Sequence, residues 1–167
     1  MSSRGAADKP KTPLKATAVR MLARREYGRA ELAERLEARG ATRAEVALVL
    51  DELERLGYLS DTRFAQALVT QKTGRYGRRA IANSLRQRQV APEAAKAALD
   101  GLTGVDELAE ATALWQRRFG AVPKDEREKA RHVRFLLARG YPLSIALKVL
   151  RQAREPAPVD GDEDAPV

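Results

Sequence analysis

A chain of 167 residues is long enough for one large domain or a string of small ones. It holds 32% charged and 44% hydrophobic residues, but only 5% aromatic residues, one histidine and no cysteine, at a formal charge of +8. Disulfides and thiolate zinc sites are thereby excluded, and a lone histidine leaves no two-histidine metal centre and no histidine relay. Alanine, leucine, glutamate and arginine dominate, and no β-branched or aromatic run alternates with polar residues, so an all-α fold is expected.

The charge is unevenly spread. Glu155–Val167 holds five carboxylates and no Lys or Arg, so the rest of the chain sets 31 cations against eighteen carboxylates, a formal +13. Such a field attracts nucleic acid or an acidic protein face, although arginines also simply solvate helix faces. The first residues lack the apolar core of a signal peptide, and no segment reaches the ~20 apolar residues that span a bilayer. A cytoplasmic protein without a membrane partner is expected.

Residues 1–13, with Pro10 and Pro13, read as a flexible arm, and residues 155–167, with Pro156, Pro158 and Pro166, as a disordered acidic tail. Between them, Leu14, Ala18, Met21 and Leu22 share one face of a first helix. After Tyr27-Gly28 a second carries Leu32, Ala33 and Leu36 and stops at Gly40. Thr42-Arg-Ala-Glu45 is a capping box for a third, with Val46, Val49, Leu50, Leu53 and Leu56 inward and Gly57 at its end. Ser60 or Asp61 caps a fourth, with Phe64, Ala67, Leu68 and Gln71 on one side. The fifth runs from about Arg78 to Gln89 on Ile81 and Leu85. Pro92 opens a sixth bearing Ala95, Ala98, Leu99 and Leu102. A seventh carries Val105, Leu108, Ala109, Thr112, Trp115 and Phe119. The eighth spans about Asp125 to Arg139 and stops at Gly140. Ser144 is placed to cap the ninth, which carries Leu147, Leu150 and Ala153.

The helices repeat in threes. A shift of 49 residues lays Tyr27-Gly28-Arg29 on Tyr76-Gly77-Arg78, Leu36 on Leu85, Arg39 on Arg88 and Leu50 on Leu99; a further 51 brings Leu85 to Leu136 and Leu99 to Leu150. Amphipathic helices share leucines by chance, but not Tyr-Gly-Arg in register. The reading is three tandem three-helix, helix-turn-helix-like repeats over residues 14–59, 60–103 and 104–154, in an elongated, curved array.

No catalytic constellation emerges, so an enzyme is not expected, and neither is a cofactor or metal. His132 falls in register with Leu32 and Ile81, which argues for packing. Gly74-x-x-Gly77 lacks the Gly-Lys-Ser/Thr ending of a phosphate loop and follows a helix. Carboxylates mostly pair with cations one turn away, as Glu31 with Arg35 or Asp125 with Lys129. The cations gather near the junctions between first and second helices: Arg24, Arg25 and Arg29; then Arg75, Arg78 and Arg79, followed by Arg86 and Arg88; then Arg117, Arg118, Lys124, Arg127, Lys129 and Arg131. Cations at helix N-termini oppose the macrodipole, which suggests service to a bound anion; solvation of helix faces explains them equally well.

Several segments together resemble the RecX family of regulators of the RecA recombinase. Gly57-Tyr-Leu-Ser-Asp-Thr-Arg-Phe-Ala65 is similar to the stretch joining that family's first two units. Arg75-Tyr-Gly-Arg-Arg-x-Ile81 with Leu85, Arg134-Phe-Leu-Leu-Ala-Arg-Gly-Tyr141, and Arg24-Arg-x-Tyr27 with Glu31-Leu32 resemble further family segments, in order, over residues 14–154. Gln89 stands where the family often has glycine, so that helix is expected to end less sharply, and the acidic tail lies outside the pattern. The resemblance implies a non-enzymatic protein that lies along the groove of the RecA–DNA filament and limits its activities in DNA repair, recombination and the SOS response.

Gly57, Tyr58, Leu59, Asp61, Phe64, Gly77, Ile81 and Leu85 are expected to be structural, joining and filling the units, with Arg63 free to face the partner instead. Arg24, Arg25, Arg29, Arg63, Arg75, Arg78, Arg79, Arg86, Arg88, Arg117, Arg118, Lys124 and Arg131 are the candidate contacts to the RecA filament or to single- or double-stranded DNA, by a monomer. The competing readings are a sequence-independent DNA-binding helical-repeat protein that acts without RecA, and an adaptor whose acidic tail recruits a basic partner.

Overall fold

A computed structural model describes residues 13–155; the expected arm and tail, apart from Pro13 and Glu155, lie outside the described residues. These form nine α-helices and no strand: α1 (Leu14–Leu22), α2 (Arg29–Glu37), α3 (Arg43–Arg55), α4 (Asp61–Lys72), α5 (Arg78–Gln87), α6 (Pro92–Asp100), α7 (Glu107–Arg118), α8 (Glu126–Ala138) and α9 (Leu143–Arg154). Among them none is long and apolar enough to cross a membrane. The described residues divide into two compact units, 13–71 with 82–103, and 72–81 with 104–155.

In the first compact unit Ala18, Tyr27, Leu32, Leu36, Val46, Leu50, Leu53 and Leu59 form a buried cluster, with Leu14, Met21 and Leu22 packed against it. Thr42 and Glu45 make both halves of the capping box that starts α3. In the second compact unit the cluster is Ala111, Leu114, Trp115, Leu136, Tyr141, Ala146, Val149 and Leu150. Each fully buried leucine contributes about 1.5–3 kcal/mol.

The repeat is most legible in the middle helices. Leu36, Leu85 and Leu136 are all wholly buried, as are Leu32 and Ile81, with His132 nearly so. Beyond each helix a left-handed residue closes the same turn: Gly40 at φ 93°, Gln89 at φ 52° and Gly140 at φ 87°. The next N–H then bonds back to the buried leucine's carbonyl, Ala41 to Leu36 at 3.4 Å, Val90 to Leu85 at 3.1 Å and Tyr141 to Leu136 at 3.1 Å. This is the Schellman closure. Gln89 therefore does not blunt the end of α5, contrary to expectation; it adopts the glycine geometry, and the backbone bond holds it there. Burial of the Tyr141 ring, with Glu110 and Glu107 nearby, pushes its phenol up to about 12.

The opposite ends of α2 and α5 are closed from the following repeat. Asp61, the first residue of α4, accepts the Arg29 N–H through Oδ1 at 2.8 Å, and its Oδ2 accepts the Ala91 N–H at 2.9 Å. Glu107, the first residue of α7, accepts the Arg78 N–H at 3.1 Å. Asp61 is thus occupied with two other helices, while Ser60 Oγ accepts the Arg63 N–H at 3.2 Å near the start of α4. Gly77 sits against backbone: its N–H donates to Arg139 O at 2.8 Å, and a Cβ there would lie 2.6 Å from Gly140 O.

Other expectations need correction. Tyr58 is 54% exposed, Leu56 45% and Leu147 45%, so none of them packs inward; Leu59 alone of the Tyr58-Leu59 pair is buried. On α4 the buried residues are Phe64, Ala65, Leu68 and Val69, whereas Ala67 and Gln71 are exposed. Ala111 and Leu114 replace Val105 and Ala109 on α7, because Asp106 caps that helix and sets its start after Val105. Ala94 rather than Ala95 is buried on α6. Pro142, not Ser144, holds the N-cap position of α9. Asp125 caps α8 instead of pairing with Lys129, whose ammonium lies 3.4 Å from Glu126.

Two measurements test these closures. Asp61→Ala leaves two backbone N–H groups without their charged acceptor and should lower the urea-unfolding free energy by about 2 kcal/mol or more, with Asp61→Asn falling between. Gln89→Gly removes the left-handed penalty of about 1–2 kcal/mol, partly offset by a floppier unfolded chain, and should raise the melting temperature by a few degrees; a lowered value contradicts the strain argument.

Candidate functional site

Many candidate cations turn out to be neutralised by the protein itself. Arg25 Nη2 lies 2.6 Å from Glu31 Oε1, with Arg35 at 3.2 Å and Arg88 at 3.9 Å from the same carboxylate. Burial alone would raise the Glu31 carboxyl, but hydrogen bonds and charge from Arg25 and Arg35 hold it below its ordinary range. The Arg25 guanidinium also lies over the Tyr27 ring, 3.6 Å from its centre. Arg29 reaches Asp51 at 2.7 Å and Glu54 at 2.9 Å. The anion that cations at this helix start called for is, in the first compact unit, internal.

Arg63 is structural as well. Its Nε pairs with Glu26 at 2.8 Å, and Nη2 donates to the carbonyls of Gly57 at 2.9 Å and Tyr58 at 3.1 Å, closing the end of α3. Arg86 donates to Asn83 at 3.2 Å. Arg117 donates to the Gly74 carbonyl at 3.1 Å, and Arg139 to the Arg75 carbonyl at 3.2 Å, so both brace the turn that precedes α5.

A different set remains. The side chains of Arg24, Arg75, Arg79, Arg118, Lys124 and Arg131 are exposed and form no ion pair among the described residues. All but Arg24 belong to the second compact unit. Sequence reasoning missed three neighbours of this set. Arg118 and Arg131 line one cavity of about 480 Å³ together with Arg134, Phe119 and Phe135. Arg127, Arg131 and Arg134 stand at i, i+4 and i+7, a cationic stripe whose helical spacing was readable in the sequence.

Behind this cavity lies the lone histidine. His132 is 3% exposed, its Nδ1 accepts the Trp115 Nε1–H at 3.2 Å, and its ring stacks on Phe119 with centres 3.8 Å apart. Burial first, then the Arg131 charge, lowers its pKa from the ordinary value, so it is neutral and serves as an acceptor. Among the described residues no group of three or more His, Asp or Glu side chains is arranged to hold a metal ion.

The molecule is thus a tandem array of three-helix repeats whose surface carries arginines with no ion pair among the described residues. Its three parts match family models for the first, second and third three-helix domains of RecX at residues 15–53, 60–99 and 105–150. The chain belongs to the RecX family. It is 39% identical over 148 residues to the regulatory protein RecX of Leptothrix cholodnii, covering 89% of this chain and 94% of that one. With the RecX of Chromobacterium violaceum it shares 41% over 137 residues, covering 82% and 88%. The crystal structure of RecX from Lactobacillus salivarius has the same fold, with a TM-score of 0.68 at 16% identity over 84% of this chain and 94% of that chain.

The His132 environment has a pH signature. Its folded pKa lies below the unfolded value of about 6.5, so its contribution to stability is present above that value and is lost as pH falls through the folded pKa. Urea unfolding between about pH 7 and pH 5 should show the natural protein losing stability relative to His132→Leu, by at most about 1.4 kcal/mol per pH unit. Parallel curves for the two would contradict a buried neutral imidazole.

Proposed function

We propose that this protein regulates the RecA recombinase, as an inhibitor, by lying along the groove of the RecA–DNA filament. It would thereby modulate DNA repair, recombination and the SOS response in the cytoplasm, as a monomer and without chemistry of its own. The observation that carries the reading is membership of the RecX family over all three three-helix domains, in order. The electrostatics support it: RecA carboxylates and DNA phosphates in such a groove would meet arginines that form no ion pair among the described residues.

Within the reading, Arg24, Arg75, Arg79, Arg118, Lys124 and Arg131 are the contact candidates. Arg25, Arg29, Arg63 and Arg88 already have carboxylate partners, and a filament would have to compete for them. Repeat boundaries near residues 59 and 103 would put the joints at Asp61 and Glu107, where each following repeat caps its predecessor. RecA-independent, sequence-independent DNA binding is favoured by the same unpaired arginines, and the assay below separates the two.

Added to RecA on single-stranded DNA at fixed salt, the protein should suppress ATP hydrolysis and strand exchange at or below one molecule per RecA. Arg75→Glu with Arg79→Glu should weaken that suppression about tenfold or more while helicity is retained, since reversing two contact charges costs about 1.4 kcal/mol or more. Undiminished RecA turnover at saturating protein would sink the proposal; full suppression by the double variant would remove these two residues from the contact.

A further inference from the structure

The cavity between α7 and α8 combines cations and aromatic rings. Arg118, Arg131 and Arg134 surround it, each exposed and without an ion pair among the described residues. Three exposed cations with no carboxylate in the lining make a positive field that favours an anion there. The same cavity is walled by the half-buried rings of Phe119 and Phe135, set edge to face with centres 5.3 Å apart. The Arg118 and Arg131 guanidinium carbons lie 5.3 Å and 5.6 Å from the Phe119 centre. Aromatic and guanidinium planes are the surfaces on which unpaired nucleobases stack.

The rings are also held still. Phe119 is stacked on His132, which Trp115 holds through its indole N–H, and the Arg139 guanidinium lies 5.3 Å from the Phe135 centre. A fixed platform lets a base stack at little ordering cost.

We infer that this cavity is a single-strand nucleic-acid site, in which Arg118, Arg131 and Arg134 hold consecutive phosphates and the Phe119–Phe135 corner receives an unstacked base. An acidic peptide would satisfy the arginines but has no π-face for the rings. A duplex would offer phosphates, but its bases are already stacked on one another. The inference rests on the reading that the protein works at a nucleoprotein filament, and it assigns the third three-helix domain to the nucleic-acid strand within it.

The test uses the full chain without RecA and a fluorescent oligothymidylate of about 15 nucleotides, followed by anisotropy across a salt series. Arg131→Gln with Arg134→Gln should weaken binding about tenfold or more and flatten the logarithmic salt slope by about 1.4, the release expected for two single-strand phosphates. Phe135→Leu should weaken binding about fivefold or more with the salt slope unchanged, and this loss should disappear on an abasic strand of equal length. Should Phe135→Leu unfold, which melting curves would reveal, Arg118→Gln with Arg131→Gln supplies the test, both positions being exposed.

Equal affinity of natural and arginine-variant chains overturns the site. So does an equal loss for Phe135→Leu on the abasic strand, or tighter binding of a matching duplex or of oligoglutamate with the same dependence on these residues. A chain that inhibits RecA while its oligothymidylate binding ignores the cavity removes this inference alone. One that binds through the cavity but leaves RecA turnover untouched removes the RecA reading alone.

Discussion

The fold depends on closing the ends of its short middle helices. A helix of nine or ten residues leaves four N–H groups and four carbonyls without partners, a large share of its backbone. α2 and α5 have no side chain of their own that closes the start. Gly28 and Gly77 precede them, and the N–H of the first helical residue is taken by Asp61 or Glu107 from the next repeat. The glycines follow from this arrangement, since a Cβ on Gly28 would lie 3.0 Å from the Phe64 ring and one on Gly77 would strike backbone. Each repeat therefore finishes its predecessor. That is a physical reason why units of roughly forty residues occur in tandem: small on their own, they take caps from the unit that follows.

The same economy divides the arginines. In the first compact unit the carboxylates Glu26, Glu31, Asp51 and Glu54 absorb Arg25, Arg29, Arg35, Arg63 and Arg88, and several of those guanidinium groups also bond to backbone carbonyls or cover Tyr27. Exposed pairs of this kind add only about 0–1 kcal/mol each, so their effect is more to fix side-chain positions than to stabilise. In the second compact unit Asp106 and Asp125 serve as helix caps, and Arg75, Arg79, Arg118, Arg131 and Arg134 form no ion pair among the described residues. One composition thus yields a neutralised surface in one place and an uncompensated one in another.

Much of this was legible in the sequence. All nine helices, the capping box at Thr42 and Glu45, and the burial of His132 followed from apolar period, cap chemistry and internal register. Long-range polar geometry was not legible. Nothing local says that Asp61 spends both oxygens on α2 and α6, or that Arg63 turns back to close α3. Faces rich in alanine were also misjudged on α4, α6 and α7, because alanine fits either side of a helix and the large neighbours Phe64, Leu68, Leu114 and Trp115 decide the rotation. The cationic stripe of α8 had a readable spacing, yet only the structure sets Phe119 and Phe135 beside it.

Gln89 shows how far the tertiary frame overrides local preference. Its two counterparts in the repeat are glycines, and a glutamine in the left-handed region opposes the intrinsic bias of the backbone. The turn forms regardless, because the alternative would forfeit the Val90-to-Leu85 bond and displace Val90, which is 7% exposed, from its buried position. Losing one buried backbone bond costs about as much as, or more than, the strain of one left-handed residue, so the closure prevails. Glycine at such a site therefore marks a backbone shape, and that shape survives with glutamine in its place.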